Sequence, residues 1–428
     1  MSWKLEYVFL IAASTLLDYL CALQMAKKQT KPERKPYLIA SVIGNLGMLF
    51  AFKYFNFFSS CFSGPVLNVI LPVGISFYTF QTLSYSIDVY RGKMKPETHL
   101  GRFALYVSFF PQLVAGPIER ASRLLPQFKL EHDWNAVRAR DGLVLMLWGL
   151  FRKVVVADNI ALFVNSVFET DKEFGGLSIL LAAYIFTFQV YLDFAAYSEI
   201  ARGAAKVMGY DLMINFKRPY HATSLTDLWQ RWHISLMTWL RDYIYVPMTS
   251  SKDSKWKKSR NLLLVFFLSG LWHGASWTFI VWGLLHGIFL VIENLTKTIR
   301  AQIYDHFFTT SSRLRFFIKN TITITILSVV GLFFRASSLD QGFSMLLRVF
   351  DFTTYRFDFG VQNYKLLIFC ILVMALILII EAVEERLSWE AMFLQSSLVF
   401  RWTIYSLMIM ACFAFIAIKS QPFVYFQF

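Results

Sequence analysis

The chain has 428 residues, 56% of them apolar and 18% aromatic but only 16% charged, against roughly a quarter charged in soluble domains. Its positive mean hydropathy, its 44 Phe and 12 Trp and its repeated apolar runs of about 20 residues describe a polytopic membrane protein. A soluble enzyme, a disordered tail protein and a disulfide scaffold are excluded. The net charge of +14 is carried in short loops, the pattern of positive-inside topology rather than of a nucleic-acid-binding face.

In chain order, the apolar runs lie at 5–25, 37–58, 64–87, 103–118, 142–168, 177–198, 262–292, 320–336, 365–382 and 401–419. The first is too long and too aromatic for a cleaved leader and has no small-residue cleavage pattern. The run 262–292 would make a helix of ~46 Å against a hydrocarbon core of ~30 Å, so two shorter helices with a break near residues 270–274 are expected. Cys21, Cys61, Cys370 and Cys412 are scattered with no CxxC spacing, so neither a disulfide nor a metal site is expected.

Charge in the connections orients the spans. Lys27, Lys28, Lys31, Arg34 and Lys35 place the 26–36 loop in the cytoplasm and the N-terminus outside. Arg91, Lys93, Lys95 and Arg102 make 91–102 cytoplasmic again, as parity requires. Parity then fails, because 120–140 is also basic and only 103–118, interrupted by Pro111 and Pro117, separates the two. A re-entrant element repairs the count, provided protein or water covers its backbone. Residues 201–260 pose the same problem, with basic ends around an amphipathic middle at 225–250. No polar segment is long enough for a soluble catalytic domain, so one membrane domain over 1–428 is expected and any chemistry sits among its helices.

Polar residues within a membrane are costly, which makes each a functional candidate. His273, in Ser269-Gly270-Leu271-Trp272-His273-Gly274, lies in the middle of the longest apolar run. A neutral imidazole there can take a proton from a hydroxyl; the alternative is a structural histidine bonded to a neighbouring carbonyl. His233 lies in Trp229-Gln230-Arg231-Trp232-His233-Ile234-Ser235, followed by Arg241 and Asp242. That alternation suits either a channel wall, with Arg231 or Arg241 near phosphates, or an interfacial anchor. Asp193, Asp88 and Gln112 are further buried polar candidates, for which structural hydrogen bonding competes with catalysis. His286 and Glu293, seven residues apart, read as a structural polar pair, and His99, His132, His221 and His306 fall in connections. The candidate channel lining is therefore Trp272, Trp232, Arg231, Arg241, Asp242, Asp193 and Gln112. No P-loop, HExxH or GxSxG motif occurs, and on these grounds alone a transporter fits as well as an enzyme.

Several strings closely resemble the membrane-bound O-acyltransferase family, in the bacterial branch that includes the alginate O-acetylation membrane component. They are residues 71–78, 87–92, 110–120, 191–194, 215–220, 229–245, 271–277, 333–336 and the ending 421–428. The resemblance implies an all-α polytopic fold, a funnel of roughly 10–11 transmembrane helices with re-entrant or interfacial helices. It matches His273 to the family's signature catalytic histidine and His233 to a second functional histidine. Two departures are Gln230 and Met237, where relatives read Trp-Arg-Arg-Trp-His-Ile-Ser-Leu-Ser, and a start one or two helices late. The implied reaction moves acetyl from acetyl-CoA, with no bound cofactor and no metal, towards hydroxyls of an extracytoplasmic polysaccharide. A separate periplasmic acetyltransferase would complete the transfer, and the protein would sit in the bacterial inner membrane. A sister branch that transfers D-alanyl from a carrier protein to teichoic acid is the alternative, and a transporter or scaffold without turnover is the third.

Overall fold

The computed structural model describes residues 7–113, 116–169, 174–307, 312–355, 364–386, 395–416 and Phe423. The C-terminal string 421–428 lies outside the described residues except for Phe423. Among the described residues every regular element is helical. Seven helical stretches among the described residues are long and apolar enough to cross a membrane: Tyr7–Ala26, Lys31–Ser60, Gly176–Met208, Trp277–Leu295, Ser312–Arg335, Leu367–Glu385 and Leu398–Phe415. The count is lower than the apolar runs suggest for a physical reason. Ile75–Tyr90 has 16 residues and Leu100–Ser108 nine, while Lys255–His273 opens with Lys255, Lys257, Lys258 and Arg260.

The chain divides into two compact units, one formed by 1–146 with 198–214 and the other by 147–197 with 215–428. In the first, Tyr7–Ala26, Lys31–Leu49 and Ile75–Tyr90 pack on one another around a buried carboxylate. Asp18 accepts hydrogen bonds from Ser41 Oγ, from Asn45 Nδ2 at 2.7 Å and from Ser86 Oγ at 2.8 Å, two from Lys31–Leu49 and one from Ile75–Tyr90. Ser14 Oγ and Thr82 Oγ1 donate to Asn45 Oδ1 at 2.7 and 3.2 Å. Hydroxyls and an amide thus satisfy a group that hydrocarbon would not.

The proline-interrupted run folds as Leu100–Ser108 followed by a four-residue helical turn, Phe110–Leu113. A helix of nine residues is about 14 Å long and leaves its last carbonyls without intrahelical donors. One of them, the Tyr106 carbonyl, receives both the Gln81 and the Gln112 side-chain amides, at 2.5 and 2.8 Å. His99 caps the other end, its Nδ1 accepting the Arg102 N–H at 3.2 Å. Burial pushes the Glu119 carboxyl up to about 7, although it accepts the Met213 N–H and stands near Arg123.

In the second unit the hairpin of Lys255–His273 and Trp277–Leu295 is the main packing feature. The 262–292 run is thus two helices, parted at residues 274–276. Ser276 caps the second helix by accepting the Thr278 N–H at 3.3 Å. The helices approach so closely that a Cβ added at Gly270 would stand 2.3 Å from the Phe279 carbonyl oxygen, and one at Gly283 2.3 Å from that of Phe266. Only glycine permits that crossing.

Candidate functional site

His273 is the last residue of its helix, where the partial negative charge of unpaired carbonyls favours a cation. Its imidazole stands among aromatic rings, with centroids 5.0 Å from Trp272, 5.0 Å from Trp282 and 5.3 Å from Phe334, all steeply inclined. It borders a small cavity that it shares with Phe186, Thr187, Val190, Trp229, Trp232, Trp282, Leu327, Gly331 and Phe334. The interior leaves ≈ 20 Å³ for the centre of a water-sized group, about enough for one water molecule or one methyl-sized substituent.

His233 reaches the same site by a different route. It separates Leu225–Arg231 from Ile234–Leu240 with φ +44° and ψ +51°, a left-handed conformation that side chains other than glycine rarely take. The turn is pinned by residues 215–217: the Lys217 N–H donates to the Arg231 carbonyl and the Ile234 N–H to the Asn215 carbonyl, both at 2.9 Å. Ser235 Oγ donates to Asn215 Oδ1 at 2.8 Å. The 215–220 string is therefore the clamp that holds the histidine turn. The His233 ring lies 6.2 Å from that of His273, 5.6 Å from Trp272 and 4.6 Å from Phe194. Burial pushes the His233 imidazole down to about 3, so it is neutral over the physiological range.

The other sequence candidates separate. Trp232 lines the cavity and Trp272 bridges the two histidines. Arg231 is held at its helix end by Asp227 at 2.6 Å and by Glu385 at 3.3 Å, and Arg218 joins Glu385 at 3.1 Å. Arg241 and Asp242 pair with each other at 2.8 Å, Arg241 exposed and Asp242 partly buried. Asp193 is buried and paired with Lys153 at 2.6 Å, and Lys153 also meets Asp158 at 2.8 Å. Gln112 belongs to the first unit, where it serves the Tyr106 carbonyl. His286 and Glu293 do not form the pair expected of them. Glu293 instead accepts the backbone N–H groups of Leu225 and Thr226, at 2.7 and 3.1 Å, and the Thr226 hydroxyl at 2.6 Å, closing the N-terminus of Leu225–Arg231. His286 is fully buried and lies edge-on to Trp229 and Trp282, at 4.9 and 5.0 Å.

Sequence reasoning passed over Trp229, Trp282 and Phe334 as site residues, and an ionic lattice in the same unit. Arg152 bonds Glu381 at 2.9 Å, Glu381 accepts the Tyr191 hydroxyl at 2.5 Å, and the Arg152 guanidinium lies 4.9 Å from the Tyr191 ring. A π-helical turn, Arg152–Ala157, presents Arg152 and Lys153 side by side. The signal was available: Arg152, Lys153, Asp158 and Glu381 are charges inside apolar runs.

In the second unit, then, a helical bundle encloses two histidines beside a small cavity. Residues 97–336 match the model of the MBOAT, membrane-bound O-acyltransferase family, and both histidines fall inside the match. The chain is 34% identical to the peptidoglycan O-acetyltransferase of Helicobacter pylori, over 80% of this chain and 70% of that one. It is 35% identical to the probable alginate O-acetylase AlgI of Pseudomonas aeruginosa, over 83% of this chain and 68% of that protein. Similarity to the teichoic acid D-alanyltransferase of Bacillus subtilis is lower, 29% over 54% of this chain and 60% of that one. The chain belongs to the membrane-bound O-acyltransferase family, and it is a multi-pass membrane protein and an O-acyltransferase.

Proposed function

We propose that this enzyme takes acetyl from acetyl-CoA and passes it towards hydroxyl groups of an extracytoplasmic polysaccharide, with His273 as the general base. The observation that carries the reading is His273 itself, at a helix end and beside a cavity of acetyl-methyl size. In the reaction the acceptor hydroxyl oxygen bonds to the thioester carbonyl carbon, and the carbon–sulfur bond breaks. The hydroxyl proton passes to His273 and then to the departing thiolate. One feature supports a transient imidazolium there: the helix C-terminus at which His273 stands. His233, neutral and 6.2 Å away ring to ring, orients the acceptor or the His273 ring. Holding both substrates in one dry site supplies much of the rate.

Relatives named for O-acetylation match at higher identity and over more of the chain than one named for D-alanylation, which favours acetyl as the group moved. The acceptor then belongs to the glycan class, alginate-like or cell-wall. A separate extracytoplasmic acetyltransferase completes the transfer, and the inner membrane is the site of action. Proteoliposomes given labelled acetyl-CoA and, in parallel, a D-alanyl-loaded carrier protein test this. Acetyl-CoA thioester loss that disappears in His273→Ala upholds the reading; turnover of the carrier thioester alone replaces it with D-alanyl transfer.

A further inference from the structure

We infer that the cavity beside His273 seats the acyl group itself, and that Leu327 and Gly331 set the longest acyl chain the enzyme accepts. The inference rests on the acetyl-transfer reading above and deepens it. Leu327 and Gly331 are one helical turn apart on Ser312–Arg335, hence neighbours on one face, and both line the cavity. Around them the wall is Phe186, Val190 and Phe334, with no charged side chain. Such a surface welcomes an alkyl group.

The wall opposite Gly331 is rigid. A Cβ added at Gly331 would stand 2.8 Å from Thr187 Cγ2. Thr187 cannot swing away cheaply, because its hydroxyl donates to the Tyr184 carbonyl at 3.0 Å, meets Ser328 Oγ at 3.1 Å and accepts from Tyr220 Oη at 3.1 Å. Glycine at 331 therefore keeps open a space that the smallest side chain would contest. With ≈ 20 Å³ for the centre of a water-sized group, the space suits the methyl of acetyl. A longer chain must displace a close-packed wall.

One polar group in the lining awaits a partner. Trp229 is more than nine-tenths buried, and its indole N–H has no hydrogen-bond acceptor among the described residues. A buried donor left unspent is costly, and the carbonyl oxygen of a seated acyl group is the acceptor that acyl transfer would bring. Charge grows on that oxygen as the carbon becomes tetrahedral, so a donor there assists the reaction as well as binding.

The test uses the whole protein in proteoliposomes with acetyl-, propionyl- and butyryl-CoA. Wild type should prefer acetyl. Leu327→Ala should raise the butyryl-to-acetyl ratio of kcat/KM by about 10-fold or more, since one methylene in an apolar pocket is worth about 10–200-fold. Leu327→Val, a milder trim that retains the fold, should shift it in the same direction. Gly331→Ala should lower propionyl turnover more than acetyl turnover. Trp229→Phe should slow all three donors by about 10²-fold and leave their ratios alone. If folded Leu327→Ala and Leu327→Val keep the wild-type ratio while acetyl-CoA is turned over, the acyl seat is wrong and the donor reading stands. If wild type consumes only the D-alanyl carrier thioester, the donor reading falls and the acyl seat falls with it.

Discussion

Two buried polar centres in this chain look alike in sequence and differ in what surrounds them. Asp18, in the first unit, is enclosed by hydroxyls and an amide from neighbouring helices. His273, in the second, is enclosed by aromatic rings and an open space. Each is a polar group in an apolar run. The first is saturated by partners of its own chain, so nothing remains for a ligand to do, and its contribution is to hold three helices together. The second is left beside a cavity, where a reacting group can enter. Burial alone therefore does not distinguish the two; the room beside them does.

Four expected outcomes would sharpen or break that comparison. The largest effect should come from His273→Ala, with acyl transfer falling by about 10²–10⁴-fold, the usual weight of a general base. The variant should still run as a monodisperse peak on size exclusion. Lys153→Met should follow, because it strands Asp158 and Asp193 without their shared cation. Breaking a buried ion pair from one side costs about 3–5 kcal/mol, and a lower melting temperature in detergent would report it. An unchanged melting temperature would show that the lattice is solvated.

Asp18→Ala should cost less, about 2 kcal/mol, since it removes several interhelical hydrogen bonds of modest individual worth. Whatever fraction folds should retain the wild-type kcat, and a kcat loss without a stability loss would make Asp18 part of the chemistry. The smallest effect concerns pH. Burial holds the folded-state pKa of His233 at about 3, below the unfolded value of about 6.5. Above about 6.5 neither state binds the proton and stability is flat. As pH falls from there towards about 3, the unfolded chain gains a proton that the folded chain refuses, and stability declines. His233→Asn, which tolerates the left-handed turn better than most residues, should lessen that decline in pH-dependent melting, the buried His286 remaining. If the decline is undiminished, other groups cause it.

Much of the second unit was legible in the sequence. Glycines inside a run too long for one span predicted a break near residues 270–274, and it falls at 274–276. The His233 string and the His273 string were singled out separately, and the fold brings their rings to 6.2 Å. The clamp at residues 215–217 was legible only as a resemblance; its physical purpose, holding a non-glycine residue at positive φ, needed coordinates. The Arg152–Glu381 contact joins residues 229 apart in the chain, and no spacing rule links them. Arg231 and Asp193 drew attention as possible substrate contacts, yet each is engaged with charges of its own chain. A charge in an apolar run announces that a partner exists, not whether the partner is substrate or protein.

Composition and apolar periodicity by themselves determined that this chain is a helical membrane protein, because twenty apolar residues have few stable places to be. The quoted motifs determined its family. Tertiary structure alone decided which polar residues are spent within the protein and which stand beside open space, since that depends on contacts between segments far apart in sequence. Asp18 and His273 illustrate the division. Each is a polar residue within an apolar run, but only packing fills the space around one and leaves a methyl-sized gap beside the other.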